Sequence, residues 1–86
     1  MTITRKTVAE KIAAYLHHDI PFTSLVDWAE SAMMEGEFEK RHLKETRDVV
    51  AQLGLADVRE FGLTWEDCEQ LLKKLGYSAR IEITAA

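Results

Sequence analysis

The chain has 86 residues, 47% of them hydrophobic and 30% charged, with one proline and four glycines, the profile of one compact domain over 1–86 rather than of a linker or disordered tail. Its formal net charge of −4 is the wrong sign for a general phosphate-backbone binder, so no nucleic-acid partner is expected. The single cysteine, Cys68, excludes an internal disulfide, and the apolar run Ile12 to Leu16 is too short for a signal-peptide core or a bilayer span. The expectation is therefore a cytoplasmic protein with no membrane partner.

Apolar residues recur at the helical period along most of the chain. A first helix is predicted from about Thr7 to His18, with Val8, Ile12, Tyr15 and Leu16 inward and Thr7-x-x-Glu10 as a capping box. Pro21 in a first turn opens a second helix to about Glu35, burying Leu25, Trp28, Ala29, Ala32 and Met33. A third runs from about Phe38 to Leu53, with Leu43, Thr46, Val50 and Leu53 inward. Its surface offers Glu37/Arg41, Arg41/Glu45 and Lys44/Asp48 pairs at i,i+4. A helical turn from Ala56 to Phe61 precedes Thr64, the predicted N-cap of a last helix over Trp65 to Leu75 that buries Cys68, Leu71, Leu72 and Leu75.

Glycine punctuates these elements. Gly54, Gly62 and Gly76 are each followed by an apolar residue, with Val50, Val58 and Leu72 behind them to close an apolar clasp; Gly36 reads as a helix stop without one. All four then have structural work, and none is left to line a phosphate loop.

After Gly76 the period changes to two. Tyr77, Ala79, Ile81 and Ile83 alternate with polar residues, the pattern of a half-buried strand. The fold class expected is mostly α (α+β), a compact bundle of four or five helices with one C-terminal strand. That strand needs a partner: Met1 to Thr4, the same strand of a second copy, or an extended segment of another protein.

Few residues suggest chemistry. His17, His18 and His42 are the candidate metal ligands, but adjacent helical residues point about 100° apart, so His17 and His18 read as a polar helix end and no metal or cofactor is expected. Cys68 falls on an apolar stripe beside Glu66, Asp67 and Glu69, which raises a thiol pKa and argues for a small buried hydrophobe rather than a nucleophile. The last helix carries Glu66, Asp67 and Glu69 in its first turns, where a DNA-reading helix would meet phosphates. No catalytic motif is present, and the chain reads as a non-enzyme.

Charge distribution is more informative than the total. Between Ile12 and Glu39 there is no Lys or Arg but six carboxylates, and Lys40, Arg41, Lys44 and Arg47 follow. Met34 lies with Asp27, Glu30 and Ser31 on the outward face of the second helix, an apolar residue within an acidic surface that suits a basic partner.

The segments Leu25-Val26-Asp27-Trp28-Ala29-Glu30 and Met33-Met34-Glu35-Gly36, with the run from Gly62 to Cys68 and the closing Leu75-Gly76-Tyr77, resemble segments of small uncharacterised bacterial proteins of about this length. The resemblance implies a bacterial cytoplasmic context and names no activity. The function expected is an interaction protein, immunity- or antitoxin-like, that turns Asp27, Glu30, Met34 and Glu37 toward a basic protein. The alternative is a homodimer paired through Tyr77, Ala79, Ile81 and Ile83, with a small-molecule or metal site at the interface.

Overall fold

The computed structural model describes residues 1–58, 62–80, 83 and 85. The elements run β1 (Thr2–Ile3), α1 (Arg5–Leu16), α2 (Phe22–Glu35), β2 (Glu37–Phe38), α3 (Leu43–Gly54), a 3-10 turn (Ala56–Val58) and α4 (Trp65–Lys74). The fold is mostly helical with a two-stranded sheet.

One core serves all four helices. Val8 and Ile12 of α1, Leu25, Val26, Ala29 and Ala32 of α2, Val49, Val50 and Leu53 of α3, and Cys68, Leu71 and Leu72 of α4 form a single buried cluster with Ile3. The expected inward residues of α4 are all buried. On α2 and α3, however, Met33 and Leu43 come out 38% and 39% exposed, because both stand at helix ends where no third element covers them. Trp28 is half-buried against the core, with the Lys11 ammonium 5.6 Å from its ring centroid, a cation–π distance.

Helix α1 starts earlier than the sequence suggests. Its capping box is Thr4 with Thr7, not Thr7 with Glu10: the Thr7 N–H donates to Thr4 Oγ1 at 3.0 Å and the Thr4 N–H to Thr7 Oγ1 at 3.4 Å. One further orphan amide at this end, that of Arg5, donates to Glu39 Oε1 at 3.3 Å, a long-range cap that local spacing cannot reveal.

The start of the third helix is also corrected, because Phe38 belongs to β2. Thr2–Ile3 pairs in parallel with Glu37–Phe38, with the Glu37 N–H on the Met1 carbonyl at 2.7 Å and the Glu39 N–H on that of Ile3 at 3.0 Å. Gly36 makes this crossing fit: a Cβ there would lie 2.5 Å from the Ala32 carbonyl oxygen and 2.8 Å from Ile3 Cγ1. The strand pairing overrides the helical period of residues 38–42, and α3 begins only after His42, which is left-handed at φ 59°.

A C-terminal strand is not shown, and residues 81, 82 and 84 of the expected one lie outside the described residues. Among the described residues the segment after α4 carries no strand, and Met1–Thr4, the internal partner considered for it, is occupied by β2. Of the four residues assigned to strand pairing, Tyr77 and Ala79 lie outside regular structure, Ile83 is exposed, and Ile81 lies outside the described residues. The chain is diverted at Gly76, whose φ of +93° places it in the left-handed region. Tyr77 and Gly76 donate to the Leu72 and Lys73 carbonyls, both at 2.9 Å, the paired bonds of a Schellman ending. Arg5 then holds the exit, donating from Nη1 to the Leu75 carbonyl at 3.3 Å with its guanidinium 5.6 Å from the Tyr77 ring centroid.

Helix α1 ends by the same device with histidine in glycine's place. His18 has φ 62°; its N–H donates to the Tyr15 carbonyl at 3.1 Å, and that of Asp19 to Ala14 at 2.8 Å. The other two expected clasps do not form. Gly54 is the last helical residue of α3 and is followed by an exposed Leu55, and Val58, behind Gly62, is exposed. Gly54 instead serves the contact between helices, its Cα side facing Ala29 and Glu30 of α2.

Candidate functional site

Helices α2 and α3 make the most extensive contact among the described elements and form a two-helix platform. They run antiparallel: Gly54 at the end of α3 meets Ala29 and Glu30, while Met33 at the end of α2 faces the groove lined by Leu43, Lys44, Arg47 and Ala51. Residues 27, 30 and 34 fall within about 60° of arc on α2 at 100° per residue, away from buried Leu25, Ala29 and Ala32. Asp27, Glu30 and Met34 are all exposed, Met34 at 84%, and Glu37 is exposed on β2 just beyond the helix end. Asp27, Glu30 and Met34 therefore form one ridge on the solvent side of α2, and Glu37 is exposed beyond its end.

None of these carboxylates is neutralised within the described residues. Lys6 pairs with Glu10 at 3.9 Å and Lys74 with Asp48 at 3.4 Å. The three i,i+4 pairs expected on α3 do not form: Asp48 is taken by Lys74 of α4 rather than Lys44, and Glu37 and Arg41 precede the helix. Lys44 and Arg47 are thus exposed beside the groove, which has a volume of about 440 Å³.

A second concavity, of about 700 Å³, runs between α1 and α4. Ala9, Ala13 and Leu16 form one wall, Trp65 and Leu72 the other, and Tyr77 and Ala79 close it, with Lys6, Glu10, His17 and Arg80 at its polar positions. Two of the residues assigned to strand pairing therefore line a cleft instead. Its position was not legible in the sequence, although its α1 wall is a regular stripe at residues 6, 9, 13 and 16; small side chains at 9 and 13 are what leave the space.

The histidines are not brought together as a ligand set. His17 and His18 terminate α1 and His42 precedes α3, and among the described residues no group of three or more His, Cys, Asp or Glu is placed to hold a metal ion. Cys68 is buried on α4, and its thiol is pushed up to about 11, first by desolvation and then by the Asp67 carboxylate. At neutral pH it is a thiol, not a thiolate nucleophile.

Among the described residues no helix is long and apolar enough to cross a membrane. No family model, curated protein or solved structure matches the chain, so function is read from this geometry alone.

Proposed function

We propose that this chain is a non-enzymatic protein-interaction module of the bacterial cytoplasm, immunity- or antitoxin-like, whose recognition surface is the acidic ridge of α2 continued by Glu37. The observation that carries this reading is Met34: a large apolar side chain 84% exposed between Asp27 and Glu30, neither of which has an ion-pair partner among the described residues. An apolar anchor ringed by unneutralised carboxylates matches a basic surface. The Met supplies desolvated contact, and the charges supply steering and discrimination. The ridge stands on the helix pair with the most extensive contact among the described residues, and a preformed surface of this kind lowers the ordering cost of binding.

The test is capture from host lysate with wild-type bait beside an Asp27→Lys, Glu30→Lys, Glu37→Lys triple variant. The reading requires a basic protein that the wild type retains at low salt, releases as salt rises, and that the variant does not retain.

A second reading rests on the α1–α4 cleft, whose volume is in the range of small-molecule sites and whose walls are largely apolar. In that reading an apolar small molecule lies against Trp65, and quenching or a blue shift of Trp65 emission on titration, absent in a Trp65→Phe variant, reports it.

A further inference from the structure

The α2–α3 platform carries more than an acidic ridge. Across the groove of about 440 Å³ stand Lys44 and Arg47 of α3, exposed and without an ion-pair partner among the described residues. Glu45 lies about 100° further round α3 at 100° per residue, and Asp48 is held by Lys74. Between the edges lie two apolar side chains the core leaves uncovered, Met33 (38% exposed) and Leu43 (39%), and Met34 (84%) stands within the acidic edge itself. One face thus presents an acidic edge, an apolar centre and a basic edge. The groove holds the edges apart, and they do not neutralise each other within the chain.

We infer that this face is a self-association surface, occupied by a second copy of the chain about a two-fold axis through the methionine–leucine centre. A two-fold operator sets residue i of one copy against residue j of the other and j against i, and with the axis in the interface plane, parallel to the groove, opposite edges meet. It therefore brings the Asp27–Glu30 edge of each copy onto the Lys44–Arg47 edge of the other, satisfying both at once and covering Met33, Met34 and Leu43. A basic partner unlike this chain satisfies only the acidic edge and leaves Lys44 and Arg47 unmatched, which is why the observations favour a second copy. Methionine and arginine are also the residues enriched at such interfaces. The inference rests on the reading of the α2 ridge as a recognition surface and names its partner; the copy and any foreign basic partner compete for the same ridge.

The experiment is sedimentation velocity over a wide concentration range at low and high salt, on wild type, Asp27→Lys/Glu30→Lys, Lys44→Glu/Arg47→Glu, and an equimolar mixture of the two variants. All four positions are exposed, and circular dichroism checks that the variants fold. The wild type dimerises more weakly at high salt. Each variant, carrying like charge on both edges, associates at least about tenfold more weakly. The mixture, in which one copy has two basic edges and the other two acidic edges, recovers association as a heterodimer. Met34→Ser, which removes the exposed apolar contact and changes no charge on either edge, also weakens the wild-type dimer. Monomeric wild type at every concentration, or association that survives both reversals, overturns this inference. A monomeric result leaves the basic-partner reading to the lysate capture, so the two fail separately.

Discussion

The paired endings of α1 and α4 offer a matched test of backbone strain. Both close with the bonds of a Schellman motif, yet the left-handed residue is His18 in one and Gly76 in the other. A left-handed L-residue costs about 1–2 kcal/mol, histidine lying toward the low end because it visits that region more readily than most. His18 is exposed, so replacing it by glycine removes that cost without losing packing, offset by glycine's larger unfolded-state entropy of about 0.5–1 kcal/mol. The net expected for His18→Gly is a gain of up to about 0.5 kcal/mol, or a Tm rise of up to roughly 4 °C for a domain of this size. Gly76→Ala runs the other way. It takes on the left-handed cost and sets a Cβ 2.8 Å from Arg5 Nη1, which displaces the guanidinium from the Leu75 carbonyl. With about 1 kcal/mol for that hydrogen bond and about 0.5–1 kcal/mol recovered from the less flexible unfolded chain, the loss is about 1–2.5 kcal/mol. Urea and thermal unfolding followed by circular dichroism measure both, with His18→Ala as the control that removes the imidazole but keeps the strain. A loss of stability in His18→Gly, or an equal gain in His18→Ala, would refute the assignment of strain to the backbone.

Three other perturbations have defined outcomes. Gly36→Ala forces a methyl against the Ala32 carbonyl and the fully buried Ile3; a loss of about 3 kcal/mol is expected, with amide exchange at Glu37 and Glu39 accelerated, and an unchanged urea midpoint would contradict it. Thr46 is fully buried and its Oγ1 has no hydrogen-bond partner, so Thr46→Val, which keeps the shape and removes the orphan hydroxyl, raises stability by about 1 kcal/mol in the same assay. The Cys68 thiol, raised to about 11 from 9.0, stays protonated in the folded state where the unfolded chain already ionises. Its contribution to stability is therefore complete below about pH 9 and is lost as pH rises toward 11, by about 2–3 kcal/mol in all. Cys68→Ala shows a correspondingly flatter fall across that window, and native protein resists iodoacetamide at neutral pH; rapid native-state alkylation would show the thiol to be accessible.

Where the sequence speaks through local spacing, it is legible. The Thr64 N-cap, the buried stripe Cys68, Leu71, Leu72 and Leu75, and the Gly76–Tyr77 ending all follow from contacts within one or two turns, and α4 is as expected from them. The α2 ridge was legible for the same reason, since Asp27, Glu30 and Met34 stand at three-and-four spacing. Legibility fails where distant partners decide. Residues 37–42 have a helical period, but Ile3 recruits Glu37 and Phe38 into a strand pair and Glu39 caps the amide of Arg5, so α3 starts later. The alternation after Gly76 gives no strand among the described residues: Arg5 holds the exit at Tyr77, and Ala79 walls a cleft. Ion pairing on α3 fails in the same way, because Lys74 of α4 reaches Asp48 where i,i+4 spacing offers Lys44.

The central claim, that the acidic ridge around Met34 is the recognition surface, is tested most directly by the paired lysate capture with wild-type and Asp27→Lys/Glu30→Lys/Glu37→Lys baits, eluted by stepwise salt and read by mass spectrometry. The ridge predicts a basic protein held by the wild type, released by moderate salt and missing from the variant. Retention of the same proteins in equal amounts by both baits would contradict it.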